Sequence, residues 1–159
     1  MFNCKLKHSN GNSVDLADFR NQVLLIVNVA SMCEHTHQYV QLSQLMDSLK
    51  DKPFTILAFP CNQFANQEPA SIAEILDFCI SKFNINFPLF DKVEVNGENA
   101  DPLFKFLTEN TPCTFKTNSV KWNFTKFLVG KGLEPIRRYN PSDLPMSLLD
   151  DIKNLLWWK

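Results

Sequence analysis

Apolar and polar positions follow two different rhythms along this chain, and the switches between them mark out its elements. Gln22 to Ala30 (QVLLIVNVA) is almost continuously apolar and β-branched, as expected of a strand covered on both faces. A polar connection, Ser31 to Thr36, follows it. Tyr39, Leu42, Leu45, Met46 and Leu49 then recur at helical spacing, with Gln41, Ser43, Asp47 and Lys50 on the other side. Phe54 to Phe59 (FTILAF) predicts a second buried strand. Ser71 and Glu74 form a capping-box pattern, after which Ile72, Ile75, Leu76, Cys79, Ile80 and Phe83 trace one helical face.

The remaining signals are shorter. Cys4 to His8 predicts a strand that turns at Asn10-Gly11, and Val93 and Val95 alternate with charges toward Asn96-Gly97. Asp101-Pro102 predicts an N-cap with proline in the first turn, followed by Leu103, Phe106 and Leu107 on one stripe. Val120 to Val129 and Glu134 to Tyr139 predict paired strands around Gly130-Lys131-Gly132. A last helix from about Pro145 to Trp157 turns Leu148, Ile152, Leu155 and Leu156 inward, and packing against it is the ordinary use of Trp157-Trp158. This order predicts an α/β fold with a central mixed sheet flanked by helices.

Composition narrows the function classes. A length of 159 residues, against roughly 150 per domain, predicts a single domain over 1–159, and no repeat or linker interrupts it. Lys plus Arg number 16 against 17 Asp plus Glu, without the basic surplus that nucleic-acid binding needs. The 45% apolar content and 14 Phe argue against disorder. Met1 to Lys5 leads straight into the first strand with no secretory pattern, and every apolar run is far shorter than the ~20 residues that span a bilayer. A cytoplasmic location without integral membrane association is therefore expected. Cysteines at 4, 33, 61, 79 and 113 are odd in number and form no C-x-x-C pair, which fits neither a disulfide framework nor a zinc ribbon.

In open α/β sheets reactive groups gather at the carboxyl ends of strands. Two segments take that position, Ser31-Met32-Cys33 and Pro60 through Pro69. Cys33 stands near a helix N-terminus, a placement that favours an exposed, reactive thiolate, although a small core residue in a turn would occupy the same place. Glu34 opposes a thiolate, while His35 and His37 would offset it when protonated. Ionising that thiol therefore calls for hydrogen-bond donors from elsewhere in the chain. Cys33-x-His35-x-His37 alternates by two, lies on no single helical face and lacks a second ligand pair, so no metal is expected.

Four blocks in order resemble the glutathione peroxidase family: Asn28-Val29-Ala30-Ser31-Met32-Cys33, Phe59-Pro60-Cys61-Asn62-Gln63-Phe64, Gln67-Glu68-Pro69, and Lys121-Trp122-Asn123-Phe124-Thr125-Lys126-Phe127. The resemblance spans nearly the whole chain, from Asn10-Gly11 to Arg138-Tyr139-Asn140-Pro141. It implies a thioredoxin-like fold and a peroxide-reactive Cys33, here plain cysteine. It also implies that Gln67, Trp122 and Asn123 surround that sulfur, where two amides and an indole N–H are donors that do not titrate near neutrality. Without the neighbouring blocks these three would read as a buried Trp and two polar turn residues. Cys79 resembles the resolving cysteine of the family's thioredoxin-dependent branch, yet it shares an apolar stripe with Ile72, Ile75, Leu76 and Phe83. If it resolves, the segment around 71–83 must unfold locally, because a disulfide needs Cα atoms about 4.4–6.8 Å apart.

The activity implied is reduction of hydrogen peroxide and organic or lipid hydroperoxides, with no bound cofactor and with a thioredoxin-like protein or glutathione as reducing co-substrate. No Lys or Arg cluster near the blocks offers glutathione's carboxylates a cradle. A redox sensor that relays oxidation to a partner protein would use the same chemistry at Cys33. Departures are confined to the loops. The family commonly has Gly after the reactive cysteine, where this chain has Glu34, and glycines around Gln-Glu-Pro, where it has Ala65-Asn66 and Ala70. The long loop that tetrameric animal members use for assembly has no counterpart, which implies a monomer or weak dimer.

Overall fold

A computed structural model describes residues 2–111 and 118–157. Two short antiparallel strands, β1 (Lys5–Lys7) and β2 (Ser13–Asp15), precede a four-stranded sheet. That sheet comprises β3 (Val23–Val29), β4 (Phe54–Pro60), β5 (Lys126–Gly130) and β6 (Glu134–Tyr139) in the order β4-β3-β5-β6. β3 runs parallel to β4 and antiparallel to β5, and β5 is antiparallel to β6, so the sheet is mixed as expected. The helices are α1 (Gln38–Ser48), α2 (Ile72–Phe83), α3 (Pro102–Asn110) and α4 (Leu149–Trp157), the last entered through a 3-10 turn at Pro145–Leu148.

β3 is buried along its whole length because both of its faces are covered. Val23, Leu25, Val27 and Val29 point into a core shared with Tyr39, Leu42 and Leu45 of α1, Ile75 and Cys79 of α2, and Ile152 of α4. Leu24 and Ile26 point the other way, against Leu103, Phe104 and Leu107 of α3. The period of two along the strand thus divides the hydrophobic residues between two layers of helices.

Both edges of the sheet are finished. Beside β4, the Phe90 N–H donates to Ala58 O at 2.9 Å, and the Ala58 N–H donates to Pro88 O at 3.2 Å. On the other side, β6 carries Pro135 and slips register against β5 between Leu128 and Val129, leaving Ile136 bulged and 44% exposed.

Three expectations need correction. The strand predicted from Val120 begins only at Lys126. The residues before it form a turn in which Phe124 takes φ 62°, a left-handed conformation incompatible with a ladder. Ile80 is 52% exposed, because α2 rests on the core by a narrow stripe in which only Ile75 and Cys79 are fully buried. Trp157 is 77% exposed rather than packed against the closing helix; Trp158 lies outside the described residues, as does Cys113.

Candidate active site

The turn after β3 is folded by Thr36. Its hydroxyl donates to Ala30 O at 2.8 Å and accepts the Cys33 N–H at 3.0 Å, while its own N–H donates to Cys33 O at 3.1 Å. This closure aims the His35 backbone N–H at the Cys33 sulfur, 3.3 Å away. The sulfur is less open than expected, since Cys33 is only 9% exposed. Nor does it sit on the helix end itself. α1 starts at Gln38, and the intervening residues climb into it by short bonds such as Gln38 N–H to His35 O at 2.8 Å.

A second segment reaches this turn from β4. Ala65 and Asn66 adopt left-handed backbone, φ 54° and 53°, at the positions where the family carries glycine freedom. Asn62 steadies the loop, donating from Nδ2 to Asn66 Oδ1 at 2.6 Å and accepting the Glu68 N–H on Oδ1 at 2.9 Å. The Gln67 carbonyl then accepts the Met32 N–H at 3.1 Å, which sets Gln67 beside the residue preceding Cys33.

The third segment enters at the amino end of β5. Asn28, buried within β3, donates from Nδ2 to Trp122 O at 3.2 Å and accepts the Phe124 N–H on its own carbonyl at 2.7 Å. These bonds hold the strained Phe124 and turn Asn123 inward. Asn123 Nδ2 donates to Gln67 Oε1 at 2.9 Å, and the Trp122 ring lies against Phe64 at 5.7 Å. Cys33, Gln67, Trp122 and Asn123 thus converge from three distant stretches at one end of the sheet. Among the described residues, the hydrogen bond to the Cys33 sulfur comes from the His35 main chain, a donor that no side-chain pattern announces.

Cys79 lies in the same buried cluster as Cys33, fully enclosed, and both thiols are free. Burial pushes the Cys79 thiol up to about 11, and the Tyr39 hydroxyl beside it acts in the opposite direction. Tyr39 is itself raised well above its ordinary value by burial and by Cys79. Its hydroxyl polarises the thiol without having a partner in good hydrogen-bonding geometry. Cys61 is 1% exposed and raised by burial, with its thiol toward Gln63 Oε1 at 3.6 Å. Cys4 is pushed up to about 11 by burial and by Asp101.

Two charged groups near the site were not singled out by sequence pattern. Lys126 is fully buried, and its ammonium donates to the carbonyls of Asn140, Pro141 and Asp143. Burial lowers it to about 8. Burial also lowers His35, with Glu34 opposing the shift and Lys126 adding to it, which weakens His35 as an offset to Glu34. Glu68 is fully buried, with Oε2 accepting the Ser31 hydroxyl at 3.1 Å. Among the described residues, no cluster of three His, Cys, Asp or Glu is placed to hold a metal, and no helix is long and apolar enough to cross a membrane.

Residues 1–108 match the family model described as glutathione peroxidase. The glutathione peroxidase homolog BsaA of Bacillus subtilis is 45% identical over 156 residues, covering 98% of either chain. A crystal structure of T. cruzi GPX1 superposes with a TM-score of 0.78 at 34% identity, covering 96% of this chain and 94% of that one. A thiol:disulfide interchange protein of the thioredoxin family from Chlorobium tepidum shares the fold, with a TM-score of 0.72 at 10% identity over 97% of this chain and 93% of its own.

Proposed function

The chain belongs to the glutathione peroxidase family and is a peroxidase; from that premise we propose that it works with two cysteines, Cys33 reacting with peroxide and Cys79 resolving, and draws electrons from a thioredoxin-like protein. The observation that carries this reading is the bond from Asn123 Nδ2 to Gln67 Oε1, together with the Met32 N–H on Gln67 O, which gathers the polar groups around the Cys33 turn.

In the first step the Cys33 thiolate attacks one peroxide oxygen. The O–O bond breaks, water or an alcohol departs, and a sulfenic acid remains. Gln67, Asn123, Trp122 and the His35 N–H supply uncharged donors to the sulfur and to the departing oxygen. Hydrogen peroxide and organic or lipid hydroperoxides share the bond this chemistry needs.

In the second step Cys79 condenses with the sulfenic acid to form a disulfide. A thiol at about 11 is ionised in only roughly one molecule in 10⁴ at pH 7. Opening α2 therefore does two things: it frees the sulfur to move, and it returns the thiol toward its ordinary ~8.5, raising the thiolate fraction on the order of a hundredfold. The reductant then reopens the disulfide by exchange. The choice of a thioredoxin-like donor rests on the resemblance of Cys79 to a resolving cysteine, since the groove of about 570 Å³ beside Asn62, Gln63 and Lys92 is not lined by Cys33, Gln67, Trp122 or Asn123.

Complete burial of Cys79 favours a second reading, in which glutathione resolves the Cys33 sulfenic acid directly. Stopped-flow peroxide reduction by wild type, Cys33→Ser and Cys79→Ser, with each reductant, separates the two. Cys33→Ser should lose turnover altogether, and full activity there would end both readings. Cys79→Ser should form the sulfenic acid but turn over slowly with thioredoxin; unimpaired turnover with glutathione selects the one-cysteine cycle.

A further inference from the structure

Cys33 sits between two open side chains of opposite character. Met32, before it, is 65% exposed, and the Glu34 side chain, after it, is 83% exposed, whereas Cys33 itself is only 9% exposed. A peroxide that reaches the sulfur therefore passes a bare thioether and a bare carboxylate.

Both are held in place from below. The Met32 N–H is fixed on Gln67 O at 3.1 Å, the Gln67 N–H donates to Phe64 O at 3.3 Å, and the Phe64 ring lies against Trp122 at 5.7 Å. These contacts set Met32 on the rim that carries Gln67, Phe64 and Trp122. The Glu34 carboxylate lies 3.7 Å from His35 Nε2, and the His35 main-chain N–H meets the Cys33 sulfur at 3.3 Å. Burial works against a charge on that imidazole, which leaves the carboxylate weakly compensated. Lys126, the cation that also acts on His35, is fully buried and turned to the carbonyls of Asn140, Pro141 and Asp143, so an arriving molecule meets Glu34 rather than Lys126.

We infer that Met32 and Glu34 determine which peroxide this site takes: an uncharged organic hydroperoxide, its hydrocarbon part laid on Met32, in preference to one that carries a carboxylate. This deepens the reading of Cys33 as the peroxide-reactive sulfur and rests on it. An apolar tail leaving the sulfur on the Met32 side covers the thioether and adjoins the aromatic pair, and a polarisable, unbranched side chain adapts to tails of different shape. A second carboxylate at the same mouth is repelled by Glu34, most strongly at low ionic strength. Hydrogen peroxide, which has neither tail nor charge, is indifferent to both residues and serves as the reference.

The test compares hydrogen peroxide, cumene hydroperoxide, its para-carboxylate and the methyl ester of that acid at one fixed pH. The rate of Cys33 sulfenic acid formation is read by rapid quench and dimedone trapping. Wild type should oxidise with the ester roughly threefold faster than with the carboxylate at low salt, a gap that closes when added salt screens the charges. Glu34→Gln should bring ester and carboxylate together, and Glu34→Lys should reverse their order. Removing this charge also favours the thiolate, but that speeds every peroxide alike and cancels in the ratio. Met32→Gln should lower the cumene-to-hydrogen-peroxide ratio about fivefold, the size expected when roughly 40 Å² of apolar contact is lost, and Met32→Leu should retain it. Equal ester and carboxylate rates in wild type at low salt, a gap that Glu34→Gln leaves unmoved, or a cumene-to-hydrogen-peroxide ratio within twofold of wild type in Met32→Gln each overturns the inference. Failure of the underlying reading looks different, because no peroxide would then yield a dimedone adduct on Cys33 of the wild type.

Discussion

Removing the cap of α2 should speed the resolving step without touching either cysteine. Ser71 Oγ accepts the Glu74 N–H at 3.3 Å, and Glu74 Oε1 accepts the Ser71 N–H at 3.4 Å and its hydroxyl at 2.9 Å. Ser71→Ala deletes the two bonds made by the hydroxyl, while the backbone N–H keeps its bond to Glu74, at a cost of about 1 kcal/mol. Of the twelve residues of α2 only Ile75 and Cys79 are fully buried, so that loss falls mainly on the local opening of the helix. At 1.4 kcal/mol per tenfold, the open population rises about fivefold. If opening precedes disulfide formation, the disulfide rate rises by the same factor, while oxidation of Cys33 is unchanged. Asn84→Ala tests the other end. Asn84 holds a left-handed C-cap at φ 47°, ψ 51°, and a Cβ-bearing residue without a polar side chain costs about 1 kcal/mol there. Rapid-quench mass analysis gives the disulfide rate, and amide exchange over 72–83 gives the opening. Fivefold faster exchange with a wild-type disulfide rate in both variants would show that Cys79 does not reach Cys33 by opening α2.

Two further outcomes follow from backbone strain and from a buried charge. Ala65 is exposed at φ 54°, so Ala65→Gly should stabilise the fold by up to about 1 kcal/mol, read by urea unfolding; an unchanged midpoint would contradict the strain. Lys126 ionises near 8 in the fold but near ~10.4 when unfolded, so between those values the unfolded chain binds more protons. The stability of wild type relative to Lys126→Met should therefore rise from pH 8 to pH 10, on the order of 1 kcal/mol, and a flat or falling difference would refute it.

Elements carried by a long period were legible in the chain. β3 and β4 announce themselves as nearly continuous apolar runs, and α2 by its capping box. What escaped depends on contacts between distant segments. Phe124 gives no local sign of a left-handed turn, since a bulky residue is disfavoured there; the two bonds to Asn28 impose it. The His35 donor belongs to the main chain and follows from the way Thr36 folds the turn. The burial of Glu68 and Lys126 runs against the ordinary behaviour of charged side chains, and only the packed loops around them reveal it. The four blocks name residues that the fold brings to one end of the sheet, but not the hydrogen bonds that join them.

The outer strand β6 bears on what happens to the chain between turnovers. An unpaired strand edge is a template on which another chain can add, and a helix that opens repeatedly uncovers the apolar surface that encourages such addition. Pro135 offers no N–H, and the bulge at Ile136 breaks the spacing of the edge. In the proposed cycle α2 is loosened at every oxidation, and the misfit edge then works as a safeguard against stacking, keeping each opening a private event of one molecule.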